Sequence, residues 1–197
     1  MTKLVWGCFQ WVGFHLIREW LDDGETVIGI DIANTEQKET LEMFVGRNTN
    51  FSRVESVEEA LNVDAGECID ALIALDDQQH NPPFEKLREI SASHYFRVNV
   101  DGASRSTQSW TTIELPHVYG PWMTSESTSI TEKSVYVSDI TPVIKSIVTQ
   151  PWDTDLIKVG MESNEERNDK CIAPTISLEK GMKMLKDHQK RFPSYYY

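Results

Sequence analysis

The order of elements at the start of the chain constrains the fold more than any other feature of the sequence. Residues 3–6 form a short apolar run that ends at Gly7. From Val12 onward, apolar residues recur at helical intervals up to Gly24, a glycine of the kind that ends helices. The run TVIGIDI (26–32) then has the β-branched composition of a buried strand. Together these segments predict a strand, a glycine turn, a helix and a second strand, which make one βαβ unit.

Apolar strands and helical patterns continue to alternate after this unit. The predicted strands span residues 50–54, 69–75, 111–115, 134–137 and 155–160, and the predicted helices span 36–45, a brief stretch from 56, 84–109, 139–148 and a final segment around 178–185. This alternation predicts an α/β protein with a Rossmann-type, doubly wound, mostly parallel sheet and helices on both faces. We expect a single domain over 1–197. Its core lies in about residues 1–150, a further strand and helix lie in 151–192, and a frayed or partner-packed tail lies at 193–197.

The composition narrows the classes of function. The net charge of −12 and the pI near 4.8 argue against binding to nucleic acid or to an anionic membrane, because both require a positive surface. No apolar run approaches the roughly 20 residues of a membrane span, and the opening residues do not resemble a signal peptide. Cys8, Cys68 and Cys171 are scattered and predict neither a disulfide framework nor a zinc site. The simplest interpretation is a protein of the reducing cytoplasm.

The glycine turn has the spacing of a dinucleotide-binding turn, with one departure. Gly7 and Gly13 hold the outer positions of a G-x-x-G-x-x-G pattern, and Asp31 follows Gly13 by 18 residues at the end of the second strand. In such turns the glycines let a pyrophosphate reach the helix N-terminus, and the acid binds ribose hydroxyls. The middle position is Gln10, whose side chain either fills the space of the phosphates or donates to them from its amide. A purely structural role for both glycines also stays open at this point.

Six segments, in the same order, resemble the extended short-chain dehydrogenases, the family of nucleotide-sugar epimerases and dehydratases. They are KLVWGCFQWVGFHLIREWLDDGETVIGIDI (3–32), DALIALDDQQ (70–79), HYFRVNVDGA (94–103), ELPHVYGPW (114–122), SVYVSDITPVIKSIV (134–148) and TISLEKGMKMLKDHQKRF (175–192). The first is similar to the family's opening βαβ unit. The third resembles a helix segment with an asparagine and a glycine, here Asn99 and Gly102. The resemblance covers nearly the whole chain.

This resemblance implies a domain that binds NAD and a nucleotide or nucleotide-sugar ligand. The residues expected at the cofactor lie in the glycine turn, at the tip of the second strand and after the fourth strand: Gly7, Phe9, Gln10, Trp11, Val12, Gly13, Asp31, Ile32, Leu75 and Asp76. The residues expected to line the substrate side follow the sixth strand: Pro116, His117, Val118 and Tyr119. No residue is assigned to a metal.

The resemblance also implies catalytic residues that the sequence lacks. Active members carry a fifth strand with a serine or threonine and then a helix with Tyr-x-x-x-Lys. Only ten residues separate Gly102 from Ile113, where both are expected. No tyrosine in the sequence is followed by a lysine four positions later. Because a free phenol has a pKa near 10, tyrosine is a poor base without that lysine. We therefore assign no catalytic residue and do not expect the ordinary chemistry of the family.

Two further departures indicate a reduced site. Asp76 and Asp77 stand where small neutral residues usually lie beneath the cofactor, and they would repel a pyrophosphate unless they point to solvent. Only twelve residues separate Pro121 from Ser134, too few for the family's usual substrate-binding subdomain. In an alternative alignment Tyr136 becomes the candidate base, but the residue four positions later is isoleucine rather than lysine.

Two side chains outside this pattern carry weaker signals. Asp76 and His80 have a D-x-x-x-H spacing, which a polar loop before two prolines explains better than a metal site. Cys8 lies near a helix N-terminus, a setting that can lower the pKa of a thiol, but no resolving cysteine lies nearby in the sequence.

The sequence leaves three hypotheses about function. In the first, the chain binds NAD or a related nucleotide as a sensor or regulator, without turnover. In the second, it is a protein-interaction module in which the helix predicted at 84–109 binds either a second copy of the chain or a different protein. In the third, it is an atypical enzyme that uses Tyr119, His117 or Asp139.

Overall fold

The computed structural model describes residues 1–64, 68–77, 81–100, 109–123, 130–161 and 169–196. Its strands are β1 Thr2–Trp6, β2 Thr26–Ile30, β3 Phe51–Val54, β4 Ile69–Asp76, β5 Ala92–Asn99, β6 Thr111–Glu114, β7 Val118–Tyr119, β8 Val135–Tyr136, β9 Leu156–Gly160 and β10 Lys170–Cys171. Its helices are α1 Trp11–Asp22, α2 Glu36–Val45, α3 Val57–Asp64, α4 Phe84–Leu87, α5 Val137–Val148 and α6 Leu178–Arg191, followed by a 3₁₀ turn at Pro193–Tyr195. No helix within these ranges is both long and apolar enough to span a bilayer.

Eight strands form one parallel sheet in the order β10-β9-β6-β5-β4-β1-β2-β3. The two short strands β7 and β8 pair with each other in a second sheet. The strand order reverses between β1 and β4, because the chain first builds outward through β2 and β3 and then returns to the other side of β1. In open α/β sheets, ligands bind at the carboxyl ends of the strands beside such a reversal. The predicted α/β class with a doubly wound parallel sheet is confirmed.

Two hydrophobic cores lie on opposite faces of the sheet. Along β4, Ile73 and Leu75 belong to one core, while Leu72 and Ala74 belong to the other. The first core holds the buried sides of α1, α2, α5 and α6, and the second holds those of α3 and α4. Helices therefore cover both faces of the sheet, as predicted.

The long helix predicted over 84–109 is wrong. The helix α4 ends after four residues, and β5 follows it as a strand paired with β4. Phe96 lies in one core, whereas Arg97 is bonded to Asp76 on the other face, so this segment alternates with the period of a strand. The charge of Arg97 at an inward position obscured that alternation in the sequence. This fifth strand also precedes Gly102, which lies outside the described residues, instead of following it as expected.

The described part of the C-terminal tail, up to Tyr196, contacts its own chain. Tyr196 is 7% exposed. Its hydroxyl oxygen accepts a hydrogen bond from the Trp122 N–H at 2.7 Å and lies 2.8 Å from Nδ1 of His188. Because the hydroxyl accepts from the backbone, its own proton is available for the imidazole nitrogen. The tail therefore packs on its own chain, against the loop after β7 and against α6.

Candidate functional site at the glycine turn

The turn between β1 and α1 requires both of its glycines. Gly7 has a φ of +78°, a left-handed conformation that side chains rarely adopt. Its N–H donates to the carbonyl of Ile30 at 2.9 Å, which joins the turn to the end of β2. At Gly13 a Cβ atom would overlap the carbonyl oxygen of Gly7, so α1 can approach the turn only with glycine there. These are the tight-turn and close-packing roles of the outer glycines in a dinucleotide-binding turn.

Gln10 occupies the space directly over Gly7. Gln10 is the N-cap residue of α1, and its side chain makes no capping hydrogen bond. Instead the side chain folds back, with Nε2 and Cδ at 2.7 and 2.9 Å from the position that a Cβ on Gly7 would take. Gln10 is only 7% exposed. The middle position of the turn is therefore filled by a carboxamide rather than left open.

Asp31 ties the tip of β2 to the glycine turn. One carboxylate oxygen accepts from the Phe9 N–H at 2.9 Å. The other accepts from the Ile32 N–H at 2.8 Å and from Nζ of Lys38 at 2.7 Å. The side chain of Ile32 is 52% exposed beside this carboxylate. The predicted acid is thus adjacent to the turn, and Lys38 is a neighbour that the sequence did not reveal, since a lysine seven positions after the acid has no distinctive spacing.

The remaining turn residues mostly belong to the core. Phe9 and Val12 are almost fully buried, and the ring of Phe9 packs against Phe51 with their centroids 6.1 Å apart. Trp11 is half-buried and lies edge-on to the ring of His15. The part of the turn that faces outward is therefore limited to the start of α1 and the tip of β2.

After β4, the two residues predicted to contact the cofactor are buried. Leu75 is fully buried in the core. The carboxylate of Asp76 accepts from Nε of Arg97 at 2.7 Å and forms a salt bridge with Nη2 of the same guanidinium, and both side chains are 1% exposed. Asp76 therefore points neither to solvent nor to a pyrophosphate, because its charge is matched by Arg97, a partner that the sequence analysis missed.

The predicted substrate-side segment packs inside the protein. Val118 and Tyr119 form β7 and are 4% and 1% exposed. The Tyr119 hydroxyl lies against Gly181 of α6, where a Cβ atom would overlap it. Pro116 and His117 are half-buried, and Nδ1 of His117 lies 2.7 Å from the Ser134 hydroxyl. The segment is placed after β6 as predicted, but Val118 and Tyr119 are covered by the protein itself.

The two tyrosines of this region have pKa values raised above the ordinary phenol value. Burial, with the nearby Asp139 carboxylate, raises the pKa of Tyr119. Burial, with the two neighbouring tyrosines, raises the pKa of Tyr136 to about 12. A base in hydride-transfer chemistry needs the opposite shift. Asp139 itself accepts from the Thr175 hydroxyl at 2.5 Å and from the Ile176 N–H at 3.1 Å, so it anchors the segment before α6.

Two weaker candidates from the sequence are also placed. Cys8 is fully buried, and burial followed by the charge of Asp31 raises the pKa of its thiol. A thiol of raised pKa is a poor nucleophile, so the turn does not activate Cys8. His80 lies outside the described residues, and the structure does not test its spacing from Asp76.

Comparison with solved structures identifies proteins of the same fold. No family model matches the chain, and no curated protein matches it. UDP-glucuronic acid 4-epimerase from Bacillus cereus, in complex with NAD and a UDP-sugar, superposes with a TM-score of 0.67 at 13% identity, covering 97% of this chain and 99% of that chain. dTDP-glucose 4,6-dehydratase from Bacillus anthracis, in complex with NAD, superposes with a TM-score of 0.69 at 9% identity, covering 100% of this chain and 98% of that chain. UDP-glucose 4-epimerase from Thermus thermophilus, also in complex with NAD, superposes with a TM-score of 0.62 at 12% identity, covering 96% of this chain and 99% of that chain. At these identities the comparison concerns the fold: this chain has, in a shortened form, the Rossmann-like fold of the extended short-chain epimerases and dehydratases.

Proposed function

We propose that this protein binds NAD or a related adenine nucleotide at its glycine turn, as a sensor or regulator, and does not carry out the family's sugar chemistry. The observation that carries the proposal is the position of Asp31. Its carboxylate lies at the carboxyl end of β2, within hydrogen-bond distance of the turn's Phe9 N–H. This is the place from which an acid binds the ribose hydroxyls of a dinucleotide.

The residues around the turn fit such a ligand. The first turn of α1 contains no acidic residue and has no side-chain cap, so its N-terminal amides and the helix dipole favour a pyrophosphate. Asp31 would hold the ribose, and the exposed side chain of Ile32 offers an apolar surface for adenine. If position 10 were a third glycine, the side chain that lies over the turn would be absent. Because glutamine has a long unbranched side chain, rotation about its side-chain torsions would move the carboxamide without a change in the backbone.

The missing base supports binding without turnover. A bound nicotinamide supplies a hydride acceptor, but oxidation of a sugar hydroxyl also needs a group that removes the proton. The whole sequence lacks Tyr-x-x-x-Lys. Tyr119 and Tyr136 are buried with raised pKa values, so neither replaces it. The structural relatives crystallised with UDP-sugars suggest a nucleotide-sugar as a second ligand, but the covered Tyr119 favours the nucleotide alone.

The other two hypotheses have less support. The interaction-module hypothesis depended on a helix at 84–109, and within the described residues that region is a four-residue helix and a strand. The hypothesis of an atypical enzyme depended on His117, Tyr119 and Asp139. These three side chains are engaged with Ser134, Gly181 and the backbone before α6.

Calorimetric titration with NADH tests the proposal. We expect saturable binding by the unmodified chain and a loss of at least tenfold in affinity for Asp31→Ala. Asp31 also makes internal hydrogen bonds, so the melting temperature of each variant must show that it is folded. Asp187→Ala, which makes the same charge change on the exposed face of α6, is the matched control and should bind as the unmodified chain does. Absence of heat with millimolar NADH, or equal binding by Asp31→Ala, would contradict the proposal.

A further inference from the structure

We infer that the side-chain amide of Gln10 is itself a ligand-binding group, which donates a hydrogen bond to a phosphate oxygen of the nucleotide. The inference rests on the proposed function and decides between the two roles that the sequence left open for Gln10. In a three-glycine turn, the middle glycine lets the backbone come close to the pyrophosphate. Here the carboxamide of Gln10 would contact the phosphate instead.

The first observation is an unmatched polar group. Gln10 is more than nine-tenths buried, with an exposure of 7%, and its carboxamide makes no hydrogen bond to any residue that the structure describes. Its amide atoms are not among the fully buried side-chain atoms that lack a partner, so the tip of the carboxamide reaches solvent and is accessible to a ligand. An anionic oxygen over the turn would supply the acceptor that the carboxamide lacks.

The second observation is that several backbone donors of the turn are already used. The Gly7 N–H donates to Ile30, the Phe9 N–H donates to Asp31, and the Gln10 N–H donates to the Gly7 carbonyl at 3.0 Å. These amides are therefore not available to cradle a phosphate as a glycine-rich loop does. The carboxamide of Gln10 adds a donor at the place where the backbone donors are occupied.

The third observation is the electrostatic setting. Gln10 stands at the N-terminus of the twelve-residue helix α1, which has no acidic residue in its first turn. The positive end of the helix dipole and the carboxamide N–H groups therefore favour the same charge at the same place. A phosphate or pyrophosphate group is the anion of matching chemistry that the proposed nucleotide would bring.

Two variants at Gln10 separate the two roles, with NADH and ADP as the probes in calorimetry. Gln10→Met keeps the volume of the side chain and removes the amide, whereas Gln10→Gly restores the third glycine and opens the space. If the amide binds phosphate, both variants lose affinity, by about tenfold or more for a hydrogen bond to a charged group. Melting temperatures without ligand serve as the control for folding.

The outcomes are distinct. Tighter binding by Gln10→Gly would show that the side chain obstructs the ligand, and unchanged binding by Gln10→Met would show that the amide is not used; either result overturns the inference and leaves the proposed function standing. If the unmodified chain binds neither NADH nor ADP, both the inference and the proposed function fail together.

Discussion

Replacement of Asp76 by alanine should destabilise the fold strongly. The carboxylate of Asp76 and the guanidinium of Arg97 are both 1% exposed, with Nε 2.7 Å from the carboxylate oxygen. The guanidinium also lies over the ring of Phe84, 5.6 Å from its centroid. Removing the carboxylate therefore takes a counter-charge away from a buried cation, and the aromatic face of Phe84 offsets only part of that loss.

The size of the effect follows from this geometry. At 2.7 Å, the attraction between unit charges is about 6 kcal/mol for an effective dielectric constant of about 20. Desolvation of both ions cancels much of that attraction in the native protein, but loss of one partner leaves the cost of the other, typically about 3–5 kcal/mol. Since domains are stable by only about 5–15 kcal/mol, Asp76→Ala removes a large fraction of the stability.

Urea unfolding followed by tryptophan fluorescence measures this loss. With a slope of about 2 kcal/mol per molar urea, we expect the midpoint to fall by about 2 M. Asp187→Ala, which breaks the exposed pair with Lys190, is the matched control and should shift the midpoint very little. The double variant Asp76→Leu with Arg97→Met should recover much of the lost stability, because it buries no charge. A loss below about 1 kcal/mol for Asp76→Ala would refute the conclusion that the Asp76 carboxylate compensates the buried charge of Arg97.

Three other predictions concern the turn and its surroundings. Gly13→Ala should lower the stability by about 3 kcal/mol, because its Cβ would overlap the Gly7 carbonyl, and an unchanged melting temperature would contradict this. Burial lowers the pKa of His15 to about 4 from its ordinary value of 6.5. The unfolded chain therefore binds more protons between these values, and stability should fall as the pH is lowered from 6.5 to 4, by about 1–3 kcal/mol for this partly exposed ring. His15→Gln should flatten the pH dependence of the urea midpoint, and an equally steep profile would refute the assignment. The buried thiol of Cys8 should react with a thiol reagent only after unfolding, while the two exposed cysteines react in the native protein; rapid reaction of all three would contradict its burial.

The βαβ unit could be predicted because its signals are local. Gly7 and Gly13 are required by a positive φ and by a close helix approach, and both requirements appear in the sequence as glycine at a fixed spacing. Asp31 also follows its strand directly, so its place at the tip of β2 depends only on where the strand ends. The sheet's parallel order followed from the alternation of strands and helices alone.

The strand at 92–99 could not be predicted in the same way, because its signal depends on a distant partner. From the sequence alone, an arginine at position 97 is expected on the surface; in the structure it is buried and paired with Asp76 on the neighbouring strand. The direction of the Gln10 side chain is a similar case. A spacing pattern places Gln10 in the turn, but only the structure shows that its amide folds over Gly7.

The substrate side and the nucleotide side of the predicted site differ in how far their polar groups are already hydrogen-bonded within the protein. On the substrate side, polar groups are engaged with the C-terminal segment: the Trp122 N–H donates to Tyr196, and Asp139 holds the backbone at Ile176. Opening that side to a sugar would break contacts that keep α6 and the tail in place. On the nucleotide side, the Gln10 amide has no partner among the described residues, and α1 has no cap. The proposed nucleotide would therefore add hydrogen bonds there without breaking the packing of the described residues, whereas a sugar on the other side would have to displace contacts of α6 and the tail.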